Sequence, residues 1–433
     1  MGRMQLSTLP GLRTFGDPRV RRTAAIVVFV GATVHFALLV LSAFGNMPDL
    51  REVFLPSARA ALAGQQLYHR LPLGAAGQFT VGTAGAVDTP PFLLLISPLT
   101  LVTDAHAQAT WMVVQLISLV AAMALTYAGI GRPTLTELLA ALSVLMFLGP
   151  VGDSLQDGQV STVLGALMAA TMLGHQKARP AAGGVALGIA GALKLTPLLT
   201  IPYFLWKRDF RLCAWALGTS FALFALSVAS GRANGFSQFP VVVSQLSAGT
   251  AAAQNQSIGG LILRLVLPGR TNFPIAPPPL ELRVFIGAAQ LGLLALLVWL
   301  ARRVSAVRPL GAWIQFSLVL VLVPTFQPFA WPHHWAWAVL AVPVCVAAAS
   351  RGVLAARAAA GVATALLLVT IFEFPLYSAA VVYDRHPPAG PAVAVGASLP
   401  LLGAIVIAVL LALGSHTGEG AGARRIRPPA NAA

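Results

Sequence analysis

The chain has 433 residues, of which 57% are hydrophobic and only 9% charged, and its mean hydropathy is +0.80. Soluble domains carry roughly 25% charged residues, so a soluble globular protein is excluded and a polytopic helical membrane protein is indicated. The formal net charge of +15 fits cytoplasmic loops facing anionic lipid better than a nucleic-acid surface.

Arg3, Arg13, Arg19, Arg21 and Arg22 precede the first apolar run and place the N-terminus in the cytoplasm. Thr23 to Phe44 is too long for a signal h-region, and no small-residue cleavage site follows it, so it reads as a first span. Asp49 lies just past the outer end of that span, in a chain with only 13 Asp and Glu. A carboxylate there is either a hydrated interfacial acid or a catalytic group. Further along the same outer loop, residues 90–99 (PPFLLLISPL) are apolar but too short to cross a bilayer, which suits a re-entrant or interfacial segment.

The later basic clusters are Arg132; Lys177 and Arg179; Lys207, Arg208 and Arg211; Arg302, Arg303 and Arg308; Arg351 and Arg357; and Arg424, Arg425 and Arg427. One arrangement turns all of them inward, with 19 of the 28 Lys and Arg on that side. It uses spans near 23–44, 107–129, 135–150, 158–174, 181–194, 196–206, 211–229, 284–301, 310–325, 334–350, 355–377 and 394–413, about 12 in all with both termini inside. Outer loops then fall at 45–106, 151–157, 230–283, 326–333 and 378–393. The stretch 181–206 carries positive clusters at both ends, and Pro197 breaks it. It therefore reads as a hairpin of two short helices with Lys194 at its tip. Residues 1–413 form the membrane domain, and 414–433 read as a basic, Pro-rich, disordered cytoplasmic tail. Cys213 and Cys345 both fall within spans, so neither a disulfide framework nor a metal cluster is indicated.

This topology gathers polar residues at one membrane edge: Asp49, Asp153, Asp157, Gln159, Lys194, Asn255, Gln256, His333 and His334. Such a set suits group transfer from a lipid-linked donor. A carboxylate serves as general base toward a hydroxyl. Lys194, His333 and His334 would hold the donor phosphate. Gln159, Asn255 and Gln256 would bond sugar hydroxyls. Trp331 and Trp335 would either stack on a sugar or join the aromatic belt, the commoner fate of an interfacial Trp. Adjacent His333 and His334 diverge on a helix and lack an acidic partner motif, so no metal site is expected. His35, inside the first span, reads as a hydrogen-bonded structural residue.

Several short segments also resemble glycosyltransferase family 87, in family order over most of the chain. They are Asp49 followed by 61–68 (ALAGQQLY), 89–92 (TPPF) with 97–99 (SPL), 158–160 (GQV), 188–193 leading into 194–197 (KLTP), 255–258 (NQSI) and 331–335 (WPHHW). Thr89 departs from the pattern, since an aromatic often precedes the two prolines. The resemblance implies an all-α GT-C-like bundle with long extracytoplasmic loops and a metal-independent, inverting transfer without cofactor. It implies a β-linked polyprenyl phosphosugar as donor, with Asp49 as base and His333 or His334 at the donor phosphate. Mannose is the leading sugar, with arabinofuranose and glucose open. A glycolipid or lipoglycan would be the acceptor, and an actinobacterial composition favours phosphatidylinositol mannosides or lipomannan. The rival reading is a lipid or sugar flippase. Transporters commonly place polar groups at the midplane and carry repeats, whereas here the polar groups sit at one edge and no repeat is visible.

Overall fold

The computed structural model describes residues 17–68, 88–230, 236–268, 277–306, 308–355 and 391–415, with isolated positions at 234, 358, 359, 361–363 and 365. Among these residues the secondary structure is entirely helical. Most of the expected span at 355–377, the loop at 378–393 and the tail beyond 415 lie outside them.

Pro18–Ala43 forms the first long helix. Asp17 caps it by accepting the Arg19 N–H at 2.8 Å. The helix lies on the rim, with Val27, Val30, Val34, Leu38 and Leu41 exposed. These side chains share one outward face, and an apolar face without protein cover needs lipid as its solvent. His35 stacks on Phe147 at 5.0 Å between ring centroids, which gives it a structural partner. By contrast, the helix Pro309–Leu322 is almost wholly buried, with Trp313, Phe316 and Leu318 fully covered, and it forms the centre of the bundle.

Six described helices are long and apolar enough to cross a membrane: Arg19–Ala43, Asp104–Ile130, Phe210–Ala229, Leu280–Arg303, Pro309–Phe326 and Pro332–Ser350. Leu135–Phe147 and Gly149–Asp157 make a seventh if the pair, bent by 54°, is one span. The expected twelve are therefore not reached among the described residues. Several of the expected spans are short helices covered by neighbours, such as Pro180–Leu193 with 14 residues and Ser161–Gln176 with 16. The outer loop expected at 151–157 is instead the helix Gly149–Asp157. Pro150 at its start explains the break from the preceding helix. The segment expected to be re-entrant is a short helix, Pro90–Ile96, followed by the 3₁₀ turn Ser97–Leu101.

The 181–206 stretch does fold as two short pieces. Pro180–Leu193 ends at Lys194, whose backbone is extended, and the 3₁₀ turn Thr196–Thr200 leads into Ile201–Trp206. Small residues let the first helix sit tightly on Phe210–Ala229: a Cβ on Gly188 would lie 2.5 Å from Thr219 Cβ. The two ends of the stretch meet, because His175 Nδ1 lies 2.7 Å from Asp209 Oδ2.

That meeting point belongs to one end of the bundle. There Trp313 donates to Gln176 at 2.9 Å, and Gln176 donates to the Gly129 carbonyl at 2.9 Å. Lys207 donates to Gln315. Arg351 reaches the Ile130 carbonyl at 2.6 Å and buried Glu137 at 2.7 Å. The basic positions 132, 177, 179, 207, 208, 211 and 351 all adjoin these contacts. Ser161–Gln176 and Pro180–Leu193 run from this end to the other over roughly 24 and 21 Å. The opposite end holds Asp49, Gln159, Lys194 and His333.

Candidate active site

Asp49 opens a single π-helical turn, Asp49–Phe54, that runs directly into Leu55–Leu62. Such turns are rare and recur at functional sites. The turn is anchored by buried Leu50, Val53 and Phe54, which leaves Asp49 half-buried at the surface of the bundle. The Gln159 side-chain N–H donates to Asp49 Oδ2. Gln159 was expected to meet a sugar; the structure instead commits its amide nitrogen to the carboxylate. Gly158 makes this approach possible. Its φ of +74° is left-handed, and its missing Cβ leaves room for Leu50 and Met47. Trp111 fixes the same turn by donating to the Gly158 carbonyl at 2.7 Å.

Lys194 arrives from the break after Pro180–Leu193. The Thr89 hydroxyl donates to the Ala192 carbonyl and lies 3.0 Å from that of Leu193. It thereby satisfies helix-end carbonyls that have no partner in the helix itself. Thr89, the departure from the family pattern, thus ties the 88–96 segment to the residue before Lys194. This link brings in Asp88, which sequence reasoning missed. The Tyr68 hydroxyl donates to the Asp88 carbonyl at 2.8 Å. One Asp88 carboxylate oxygen is buried without a hydrogen-bond partner. Burial pushes the Asp88 carboxyl up to about 7; Lys194 pulls it back, Asp49 pushes it further up, and His333 opposes. Four of the site's charged groups therefore share one electrostatic neighbourhood. Asp88 had a usable signal, as a rare acid beside the two prolines of a short outer segment.

His333 lies in the 3₁₀ turn Pro332–Leu340, packed against Gly149–Asp157. Its backbone N–H donates to Asp153 Oδ2 at 2.9 Å. Its Nδ1 lies 3.3 Å from Asp153 Oδ2 and 3.5 Å from Asp157 Oδ2. The absence of acidic partners expected from sequence is corrected here, since two carboxylates face this ring. The ligating atoms of Asp153, Asp157 and His333 all lie within 4.8 Å of one another, so this trio is where an ion could be held. His334 turns away: its ring stands at 80° to that of His333, and its Nδ1 is buried without a hydrogen bond. His333, not His334, joins the acidic cluster.

The remaining candidates have structural partners. Asn255 is fully buried. Its amide N–H groups donate to the Thr250 and Pro328 carbonyls at 2.8 and 3.1 Å, and its oxygen accepts the Ala330 and Ser257 N–H groups at 2.9 and 3.2 Å. Gln256 donates to the Ala253 and Ala397 carbonyls, both at 2.7 Å. These amides brace the loop that leads to His333, and their hydrogen-bonding capacity is spent on backbone. Trp335 is buried and donates to the Val321 carbonyl at 2.9 Å, so it packs in the core. Trp331 is half-buried beside Phe329 at 6.1 Å. Arg264, also buried, holds the Ala252 and Asn255 carbonyls, each at 2.7 Å.

The chain is similar to known proteins. A polyprenol-phosphate-mannose-dependent alpha-(1-2)-phosphatidylinositol mannoside mannosyltransferase of Mycobacterium tuberculosis is 28% identical over 75% of this chain and 76% of its own. The protein of the same description from Mycolicibacterium smegmatis is 32% identical over 51% of this chain and 49% of its own. A phosphatidylinositol pentamannoside mannosyltransferase of M. tuberculosis is 24% identical over 77% and 74%. Among solved structures, ArnT from Cupriavidus metallidurans in the apo state aligns over 93% of this chain and 79% of its own, with 13% identity and a TM-score of 0.39. Residues 87–328 match the family model for glycosyltransferase family 87. That span contains Asp88, Gln159 and Lys194 but stops short of Asp49 and His333. It covers more than half of the sequence, and the chain belongs to glycosyltransferase family 87, which makes it a membrane glycosyltransferase and not a flippase.

Proposed function

We propose that the protein transfers a mannosyl residue from a polyprenyl phosphate mannose to a hydroxyl of a phosphatidylinositol mannoside at the extracytoplasmic face of the cell membrane. The observation that carries this reading is the meeting of Asp49, Gln159, Lys194 and His333 at the end of the bundle away from the basic clusters. Juxtamembrane Lys and Arg are biased to the cytoplasmic side, so the site end faces out. The names of the mycobacterial relatives supply the donor and the acceptor.

The chemistry follows from the residues. The acceptor hydroxyl gives its proton to the Asp49 carboxylate as its oxygen attacks C1 of the mannose. The bond between C1 and the phosphate oxygen breaks with its electron pair going to that oxygen, and polyprenyl phosphate leaves. Attack from the face opposite the leaving group converts a β-linked donor into an α-linked product. Gln159 orients the base by holding Oδ2. Lys194 and His333 offset the charge that grows on the phosphate. Asn255 and Gln256 act by fixing the loop ahead of His333. The test is transfer by purified protein from polyprenyl-phosphomannose to a phosphatidylinositol mannoside, with mass and linkage analysis of the product. Absence of a mannosylated product, with the protein folded and lipid present, removes the proposal.

A further inference from the structure

We propose that Asp153 and Asp157 are positioning residues that together fix the imidazole of His333, leaving its Nε2 to meet the phosphate of a polyprenyl phosphosugar. The inference rests on the mannosyl-transfer reading and adds two residues that it does not require. Asp153 and Asp157 are four apart in Gly149–Asp157, so both project from one helix face. Both carboxylates face the same ring nitrogen, at 3.3 and 3.5 Å. A carboxylate accepts only, so the nitrogen between the two must carry the proton. Asp153 also accepts the His333 backbone N–H at 2.9 Å. That N–H sits at the start of the 332–340 turn, where the helix supplies no acceptor. Backbone and ring are thus held by one side chain, and the second carboxylate removes the remaining rotational freedom.

The arrangement also answers a problem of charge. The site end carries Asp49, Asp88, Asp153 and Asp157 around Lys194 and His333, and the donor brings a further anion. Two of the four carboxylates are directed at His333, which separates them from the phosphate by the imidazole itself. Lys194 shares the electrostatic neighbourhood of the other two, Asp49 and Asp88.

Asparagine at 153 or 157 keeps the size and an oxygen able to accept the backbone N–H, and loses the charge. The experiment compares Asp153→Asn, Asp157→Asn and the double variant, in the wild-type and His333→Ala backgrounds, in lipid nanodiscs. Loss of the carboxylate that orients a metal-ligating histidine typically costs about 10–100-fold, and the same geometric role sets the scale here. The double variant should therefore raise donor KM by about that factor, with acceptor KM unchanged. On the His333→Ala background the same substitutions should change donor KM less than about twofold, because interacting sites are non-additive. Equal losses in both backgrounds would show a merely structural role and overturn the proposal. So would activity lost to EDTA and restored by a divalent ion, since the trio would then be holding that ion. An independent readout is the ¹⁵N signal of His333, assigned by its disappearance in His333→Ala. It should report a protonated Nδ1 in the wild type and change in the double variant. An active wild type whose His333 signal ignores the substitutions sinks the positioning role alone. An inactive wild type whose signal responds sinks the transfer reading alone.

Discussion

Replacing Gly158 by alanine should damage stability and turnover together, because this residue sits between the proposed base and its hydrogen-bond partner. Its left-handed φ of +74° costs a residue with a Cβ about 1–2 kcal/mol. The new Cβ would lie 2.8 Å from Leu50 Cβ and 3.1 Å from Met47 Cβ, and both neighbours are fully buried. Overpacking of this kind costs about 1–3 kcal/mol, so the sum is about 2–5 kcal/mol. The strain can relax only by moving the Met47–Leu50 segment, which carries Asp49 away from Gln159. Misplacement by about 1 Å can cost roughly 100-fold in rate. The assay is thermal unfolding of the purified protein in nanodiscs beside single-turnover mannosyl transfer. Gly352→Ala is the control: it has a similar φ of +68° but open space around the position, and it lies at the other end of the bundle. A Gly158→Ala protein that melts with the control and turns over at the wild-type rate would refute the reasoning.

Asp49→Asn should lower transfer by about 10²–10⁴ with folding intact, as for loss of a general base; near-normal turnover in a folded variant would remove Asp49 from that role. Arg351→Met should destabilise by about 1–3 kcal/mol in thermal or denaturant unfolding, since it removes the partner of the buried Glu137 carboxylate. The raised Asp88 value means that the folded chain holds this proton more tightly than the unfolded chain. The stability it contributes is complete below the unfolded value near 3.8 and is lost as the pH rises through about 7. Asp88→Asn should therefore flatten the decline in melting temperature across that window, and parallel profiles for the two proteins would contradict it. Cysteines at the exposed positions 52, 156 and 247 should label from outside, and those at 178, 209 and 305 should not; labelling of 178 and 209 from opposite sides would break the hairpin and the site with it.

How far each feature was legible depends on how local its cause is. The break at Lys194 was readable because Pro197 acts on its own neighbours, and the two flanking basic clusters fixed which ends had to meet. The contact of His175 with Asp209 places those ends together. Span number was less legible. Apolar length says what can cross lipid, but Pro180–Leu193 is kept short and covered by Phe210–Ala229, a fact of packing that no window of sequence contains. The polar residues divide the same way. Asp49 stood out as a rare acid at a helix exit, and Asp88 could have been found by the same argument. Asn255 and Gln256 could not be sorted in advance, because a buried amide bonds a sugar or a backbone equally well. What decides is the partner, and theirs include Pro328 and Ala397, residues 73 and 141 positions away. For the same reason His333 and His334 were indistinguishable as neighbours. They become different residues only because 151–157, a loop by sequence, belongs to the helix Gly149–Asp157, which turns Asp153 and Asp157 toward one of them.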